Sequence, residues 1–180
     1  MDIKSGRIAT KYAQAFFNLY GQQLHEQDFW IIKNVIMFLA KNKTVLIYFN
    51  TSNLSERQKI KQIFLTYFRL HSNFGSLLIL LQKHQRLELL SDILQEILEI
   101  FLIKSKQIFF KLSSYPVLLP DQTKKIINYL KQATGHDILY EILENPNLIA
   151  GLKVQSTQLL YSDSIEHRLQ KIHRKFIRQN

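Results

Sequence analysis

Glu88, Asp92, Glu96 and Glu99 recur at spacings of four, four and three residues, so a helix would carry all of them on one face. Two carboxylates so placed are the raw material of a general acid and base. Leu89, Leu90, Ile93, Leu94, Ile97 and Leu98 lie between them, and the pattern reads as the solvated side of an amphipathic helix. The six histidines, at 25, 71, 84, 136, 167 and 173, include no pair at the i, i+4 spacing of a helical metal site. With 0 cysteines, thiolate zinc, iron–sulfur clusters, disulfides and cysteine nucleophiles are all excluded. The GxSxG elbow, the GxxxxGK[ST] phosphate loop and the GxGxxG fingerprint are missing. The expectation is a protein without catalytic residues, metal or cofactor, and not an enzyme.

Charge offers a second kind of chemistry. The 180 residues carry 24 Lys and Arg against 14 Asp and Glu, a net +10. The excess is dense near the end, where Arg168, Lys171, Arg174, Lys175 and Arg178 face only Glu166. A basic nucleic-acid-binding protein using this C-terminal helix is therefore the alternative reading. No recognition-helix motif or aromatic-basic RNA signature accompanies the charge, so nucleic acid is not the favoured partner. The apolar runs Val35 to Ala40 and Leu77 to Leu81 fall well short of the roughly 18 residues of a membrane span. The N-terminus lacks the apolar stretch of an export signal, which points to the cytoplasm.

These residues need elements to position them. All three prolines, Pro116, Pro120 and Pro146, lie beyond residue 115. Before them, apolar residues recur at helical spacing. Ile8, Tyr12, Ala15, Phe16 and Leu19 form one stripe, with Gly21 placed to end the helix in a left-handed conformation. Phe29, Ile32, Ile36 and Leu39 form a second. Thr44 to Phe49 is apolar but β-branched at its start, and its class stays open. Ser55 and Gln58 read as a capping box before a helix through Ile60, Ile63, Phe64, Tyr67 and Phe68. The fifth helix, Ser76 to His84, is apolar all round from Leu77 to Leu81, so one side packs inward while another must be covered or left as a groove for a partner. Leu87 to Lys104 is the sixth.

The pattern then changes. Ile108 to Leu112 reads as a strand ending at a Ser-Ser-Tyr-Pro turn. Pro120 and Asp121 open a helix through Ile126, Ile127 and Leu130 that Gly135 closes. Ile138 to Leu143, Leu148 to Val154 and Leu159 to Tyr161 read as further strands, and Asp163 as the N-cap of a terminal helix through Ile165, Leu169, Ile172 and Phe176. The predicted fold is mainly α: a six-helix N-terminal bundle over residues 1–104, followed by a small α+β domain over 105–180.

Three ordered segments resemble the delta subunit of F-type ATP synthases, called the oligomycin-sensitivity-conferring protein in mitochondria. Arg7-Ile8-Ala9 with Lys11-Tyr12-Ala13-Gln14-Ala15-Phe16 is similar to the family's opening helix. Leu77 to Leu90 is similar to its apolar helix followed by a Gly-Arg-Leu turn, with Gln85 in place of the glycine. Asn145 to Leu169 is similar to its late strand and closing Asp-Gly-Ser segment; Ala150 replaces one glycine, Ser162-Asp163 the Asp-Gly pair, and Glu166-His167 the residues before the final Arg-Leu.

The resemblance implies a non-catalytic connector. The N-terminal domain would take up the amphipathic N-terminal helices of alpha subunits in a groove involving Tyr12, Ala15, Phe16, Leu77, Leu80 and His84. The C-terminal domain would join the C-terminal ends of the b subunits of the peripheral stalk, with Leu148, Ile149, Gly151, Ile165 and Leu169 at motif positions. Such a stator subunit couples ion-driven rotation to ATP synthesis. It would be a monomer within the complex, at the cytoplasmic face of the cell membrane, and would reach the membrane only through its partners.

Overall fold

The computed structural model describes residues 3–51, 54–156 and 160–164. The chain divides into two compact units, Met1–Phe101 and Leu102–Asn180, and the division falls in the last turn of the sixth helix.

The first unit contains α1 (Ile3–Tyr20), α2 (Glu26–Lys41), α3 (Thr44–Thr51), α4 (Leu54–Phe68), α5 (Ser72–Lys83) and most of α6 (Leu90–Lys104). The undecided segment at Thr44 is thus helical. Its core holds Phe29, Ile32, Val35 and Leu39 of α2, Leu77, Leu78 and Leu81 of α5, and Leu90, Ile93, Leu94, Ile97 and Phe101 of α6. On α1 the buried stripe is Ala9, Ala13 and Phe16, while Ala15 and Leu19 are exposed. This corrects the expected stripe, which followed the larger side chains. Alanines on the inner face admit a neighbouring backbone closely, and Phe16 supplies the bulk by stacking on Phe74 of α5 at 4.8 Å. Gly21 does not take the expected left-handed conformation. It begins a 3-10 turn, and a Cβ there would lie 2.5 Å from the ring of Phe17.

Three helices of the chain end in the same unusual way. After α4, Arg69 has φ 52°, after α5 Gln85 has φ 55°, and after α6 Lys106 has φ 53°. For α5 the closing bonds are complete: Gln85 N–H donates to Gln82 O at 3.0 Å and Arg86 N–H to Leu81 O at 2.8 Å. Leu70 N–H donates to Leu65 O at 2.9 Å in the same pattern after α4. Such turns satisfy orphan carbonyls of a helix end but favour glycine at the left-handed position.

The second unit is a four-stranded sheet of order β2-β1-β3-β4 with one helix. Strand β1 (Gln107–Tyr115) runs through α7 (Pro120–Thr134) into β2 (Asp137–Glu144), which pairs with it in parallel, Leu112 opposite Ile142. β3 (Gly151–Gln155) pairs with β1 antiparallel, and β4 (Leu160–Ser164) with β3. Phe110 and Leu112 of β1, Leu130 of α7 and Val154 of β3 form the core, with Ile108, Ile126, Ile127, Ile138 and Leu152 against them. Pro120 starts α7, and Gly135, at φ 68°, ends it as expected.

Several boundaries differ from the sequence reading. β1 continues through Ser113 and Ser114, both buried, because Ser113 and Ser114 pair with β2 on one side and β3 on the other. β3 starts at Gly151 and not at Leu148, since Pro146–Leu148 is a 3-10 turn whose Asn147 N–H is bonded by the Asn145 side chain at 3.2 Å. Asp163 is no N-cap; it pairs with Leu152 inside β4. The expected terminal helix, with Ile165 and Leu169, lies outside the described residues.

Candidate functional site: an apolar face on α1 and α5

Helices α1 and α5 lie antiparallel, and three contacts establish it. Tyr12 meets Arg86, just past the end of α5, whose Nη1 donates to the Tyr12 hydroxyl at 3.3 Å and whose guanidinium lies 5.9 Å from the ring centre. Phe16, a turn further along α1, meets Phe74 in the first turn of α5. Beyond α1, Gln23 accepts a bond from Asn73 Nδ2 at 2.7 Å.

The helix pair divides the expected groove residues by depth. Phe16 and Leu77 are buried. Tyr12 is half-buried under Arg86, while Ala15, Leu80 and His84 are exposed. Leu80 is 44% exposed and its neighbour Ile79 51%, as a helix apolar on all sides requires once Leu77, Leu78 and Leu81 have turned inward. On α1, Leu19 is 73% exposed one turn beyond Ala15. Tyr12, Ala15 and Leu19, at i, i+3 and i+7, thus make one exposed or half-exposed stripe, and Leu80 with His84 another. His84 caps α5 through its backbone, donating to Leu80 O at 3.2 Å.

Neither helix bears an acidic residue. Arg7, Lys11, Lys83 and Arg86 give the face a positive border. What the arrangement can do is hold an apolar helix: a small residue at Ala15 allows close approach, and exposed aliphatic side chains gain by being covered. The sequence reading put Tyr12, Ala15 and Leu80 in the expected groove and named neither Arg86 nor Ile79 for it; Leu19 it placed on the α1 stripe. The left-handed turn at Gln85, which aims Arg86 back toward α1, carries no signal in residue type.

In the second unit, Leu148 is buried and Ile149, next to it, is 52% exposed at φ 63°. Gly151 opens β3 at φ 126°. Val117 and Leu119, between β1 and α7, are exposed as well. Among the described residues no three His, Asp or Glu side chains gather as a metal site. Nor is any described helix long and apolar enough to cross a membrane.

The described residues thus form a helical unit followed by a small mixed sheet, with exposed aliphatic side chains on α1 and α5. Comparison with known proteins gives the particular family. The sequence profile of the ATP synthase delta (OSCP) subunit matches residues 8–176. ATP synthase subunit delta of Magnetococcus marinus is 30% identical over 128 residues, 68% of each chain. That of Fusobacterium nucleatum is 24% identical over 93% of this chain and 96% of its own. A chain of the Toxoplasma gondii mitochondrial ATP synthase hexamer, solved by cryo-EM, superposes with a TM-score of 0.65 at 14% identity, covering 94% of this chain and 97% of that one. The chain belongs to the ATP synthase delta (OSCP) subunit family. Its members are structural subunits of the ATP synthase and do not catalyse its reaction.

Proposed function

We propose that this chain is a stator connector of an F-type ATP synthase, holding the catalytic head to the peripheral stalk so that ion-driven rotation is coupled to ATP synthesis. In this reading residues 1–104 form the head-binding domain and 105–180 the stalk-binding domain. The α1/α5 face receives the amphipathic N-terminal helices of alpha subunits, with Tyr12, Ala15, Leu80 and His84 touching the incoming helix. Phe16 and Leu77 support them from below. The C-terminal ends of b subunits meet the second unit around Ile149 and Gly151, with Leu148 holding Ile149 outward; Ile165 and Leu169 belong to the same motif. The protein works at the cytoplasmic face of the membrane, as a peripheral part of the complex.

The observation that carries this reading is the exposure of Ala15, Leu19, Ile79 and Leu80 on two adjacent antiparallel helices. Calorimetric titration of the full chain with a synthetic N-terminal peptide of an alpha subunit tests it. Saturable one-to-one binding is expected, shallow in its salt dependence because apolar contact dominates, and lost in Ala15→Arg, which puts a long charged side chain where the helices must approach. Unaltered binding by Ala15→Arg refutes the assigned face, and a steep fall with salt points instead to a polyanionic partner.

A further inference from the structure

The charges on the α1/α5 face are gathered at one end. Every Lys and Arg of α1 lies in its first half, and the one cation of α5, Lys83, lies in its last turn. Because the helices are antiparallel, these two stretches are neighbours, and Arg86 joins them through its contact with Tyr12. Arg7, Lys11 and Lys83 are exposed, and Arg86 is half-buried. The Arg86 guanidinium is held in place, since the Tyr12 hydroxyl accepts one of its N–H donors at 3.3 Å, and a carboxylate can take two more side by side. At the opposite end, where Gln23 accepts the Asn73 bond, the exposed side chains are Leu19, Gln22 and Ser76, and none is charged. Neither helix contributes a carboxylate. Among the described residues, Glu88 is the acidic side chain closest in sequence to the basic end; Glu26 and Asp28 of α2 are closest to the uncharged one.

We propose that this face is electrostatically polarised and receives an amphipathic helix in one orientation, with acidic residues at the end that lies over Arg7, Lys11, Lys83 and Arg86. This builds on the reading of the face as a helix dock and adds the direction and the chemistry of its occupant. From Arg7 to Leu19 the axis of α1 runs about 18 Å at 1.5 Å per residue, whereas the Debye length at about 0.1 M salt is about 10 Å. A carboxylate over the basic end is therefore attracted, while one over Leu19 is largely screened from the cations and meets only apolar and uncharged groups. Turning the helix round keeps the apolar contact and forfeits the ion pairs. Exposed pairs contribute little affinity each; what they set is register and association rate. The affinity thus stays shallow in salt while the direction of docking is fixed.

The test uses the full chain and two synthetic amphipathic peptides of about twenty residues, near the length of α1, with the same apolar stripe. One carries two glutamates in its first turn, the other two lysines there. In calorimetric titration at low salt the glutamate peptide is expected to bind wild type about tenfold tighter than the lysine peptide. The double variant Lys11→Glu/Lys83→Glu is expected to invert that preference, and both positions are exposed, so the core is left alone. A nitroxide on the glutamate end is expected to broaden the amide signals of Lys11 and Lys83 more than those of Gln23 and Asn73. Equal affinities for the two peptides, a double variant that weakens both alike, or broadening centred on Gln23 and Asn73 overturns the proposal. Ala15→Arg is expected to abolish binding of both peptides; capture of the glutamate peptide that survives it comes from basic surface elsewhere and also overturns the polarised face. Failure of both peptides to bind wild type removes the helix dock itself, whereas binding without preference removes only its direction.

Discussion

Replacing Gln85 by glycine is expected to stabilise the helical unit. Gln85 sits at φ 55°, where the Cβ of an L-residue crowds the following carbonyl at a cost of about 1–2 kcal/mol. Glycine escapes that cost but gives the unfolded chain more freedom, worth about 0.5–1 kcal/mol in the other direction. The closing bonds, Gln85 N–H to Gln82 O and Arg86 N–H to Leu81 O, are backbone bonds and survive the substitution. The net gain is about 0.5–1 kcal/mol. With a urea slope near 1 kcal/mol per molar for a unit of this size, the midpoint moves up by about 0.5–1 M. Trp30 in α2 reports this unit, with its ring edge-on to Phe29 at 5.3 Å. Gln85→Ala is the control, because alanine keeps the Cβ and is expected to leave the midpoint nearly unchanged. A midpoint that falls in Gln85→Gly, or an equal rise in Gln85→Ala, refutes left-handed strain as the cause.

Two further outcomes concern the second unit. Leu112→Ala, at a position with 0% exposure in the core shared by β1, α7 and β3, is expected to cost about 2–5 kcal/mol, read as a lower thermal midpoint of the sheet's circular-dichroism signal. The Lys131 ammonium, bonded to Asp137 at 2.6 Å, holds that carboxyl below its ordinary range, first through the hydrogen bond and then through charge. Lys131→Ala is expected to return the Asp137 titration, followed by carboxyl NMR, to ordinary values. The pair's contribution is present above the ordinary carboxylate range and disappears as pH falls through the lowered value. Because both partners are exposed, the thermal midpoint at neutral pH is expected to stay nearly unchanged in this variant.

Helix positions were legible wherever large apolar residues recur, as in α6, whose inward set of Leu90, Leu94, Ile97 and Phe101 is buried. Legibility failed where size and burial part company. Ala9 and Ala13 are fully buried although weakly hydrophobic, so the stripe on α1 was drawn one position off, through Leu19. Ser113 and Ser114 have turn chemistry, yet they sit in a central strand whose neighbours satisfy their backbone. Tertiary pairing overrode local preference there. At the candidate site, Leu77 to Leu81 revealed an outward apolar side by being too apolar for one buried face. The contact of Arg86 with Tyr12 joins residues 74 apart and leaves no local trace.

That separation has a consequence for synthesis. α1 is made first, but its exposed stripe becomes half of the proposed binding surface only when α5 closes onto it, after the intervening helices have been translated and the entropy of a long loop has been overcome. A nascent or truncated chain therefore presents the α1 side chains without the geometry that recognises a helix. In the proposed reading, capture by the partner would then act as an inspection step, admitting to assembly only copies whose first and fifth helices have already met.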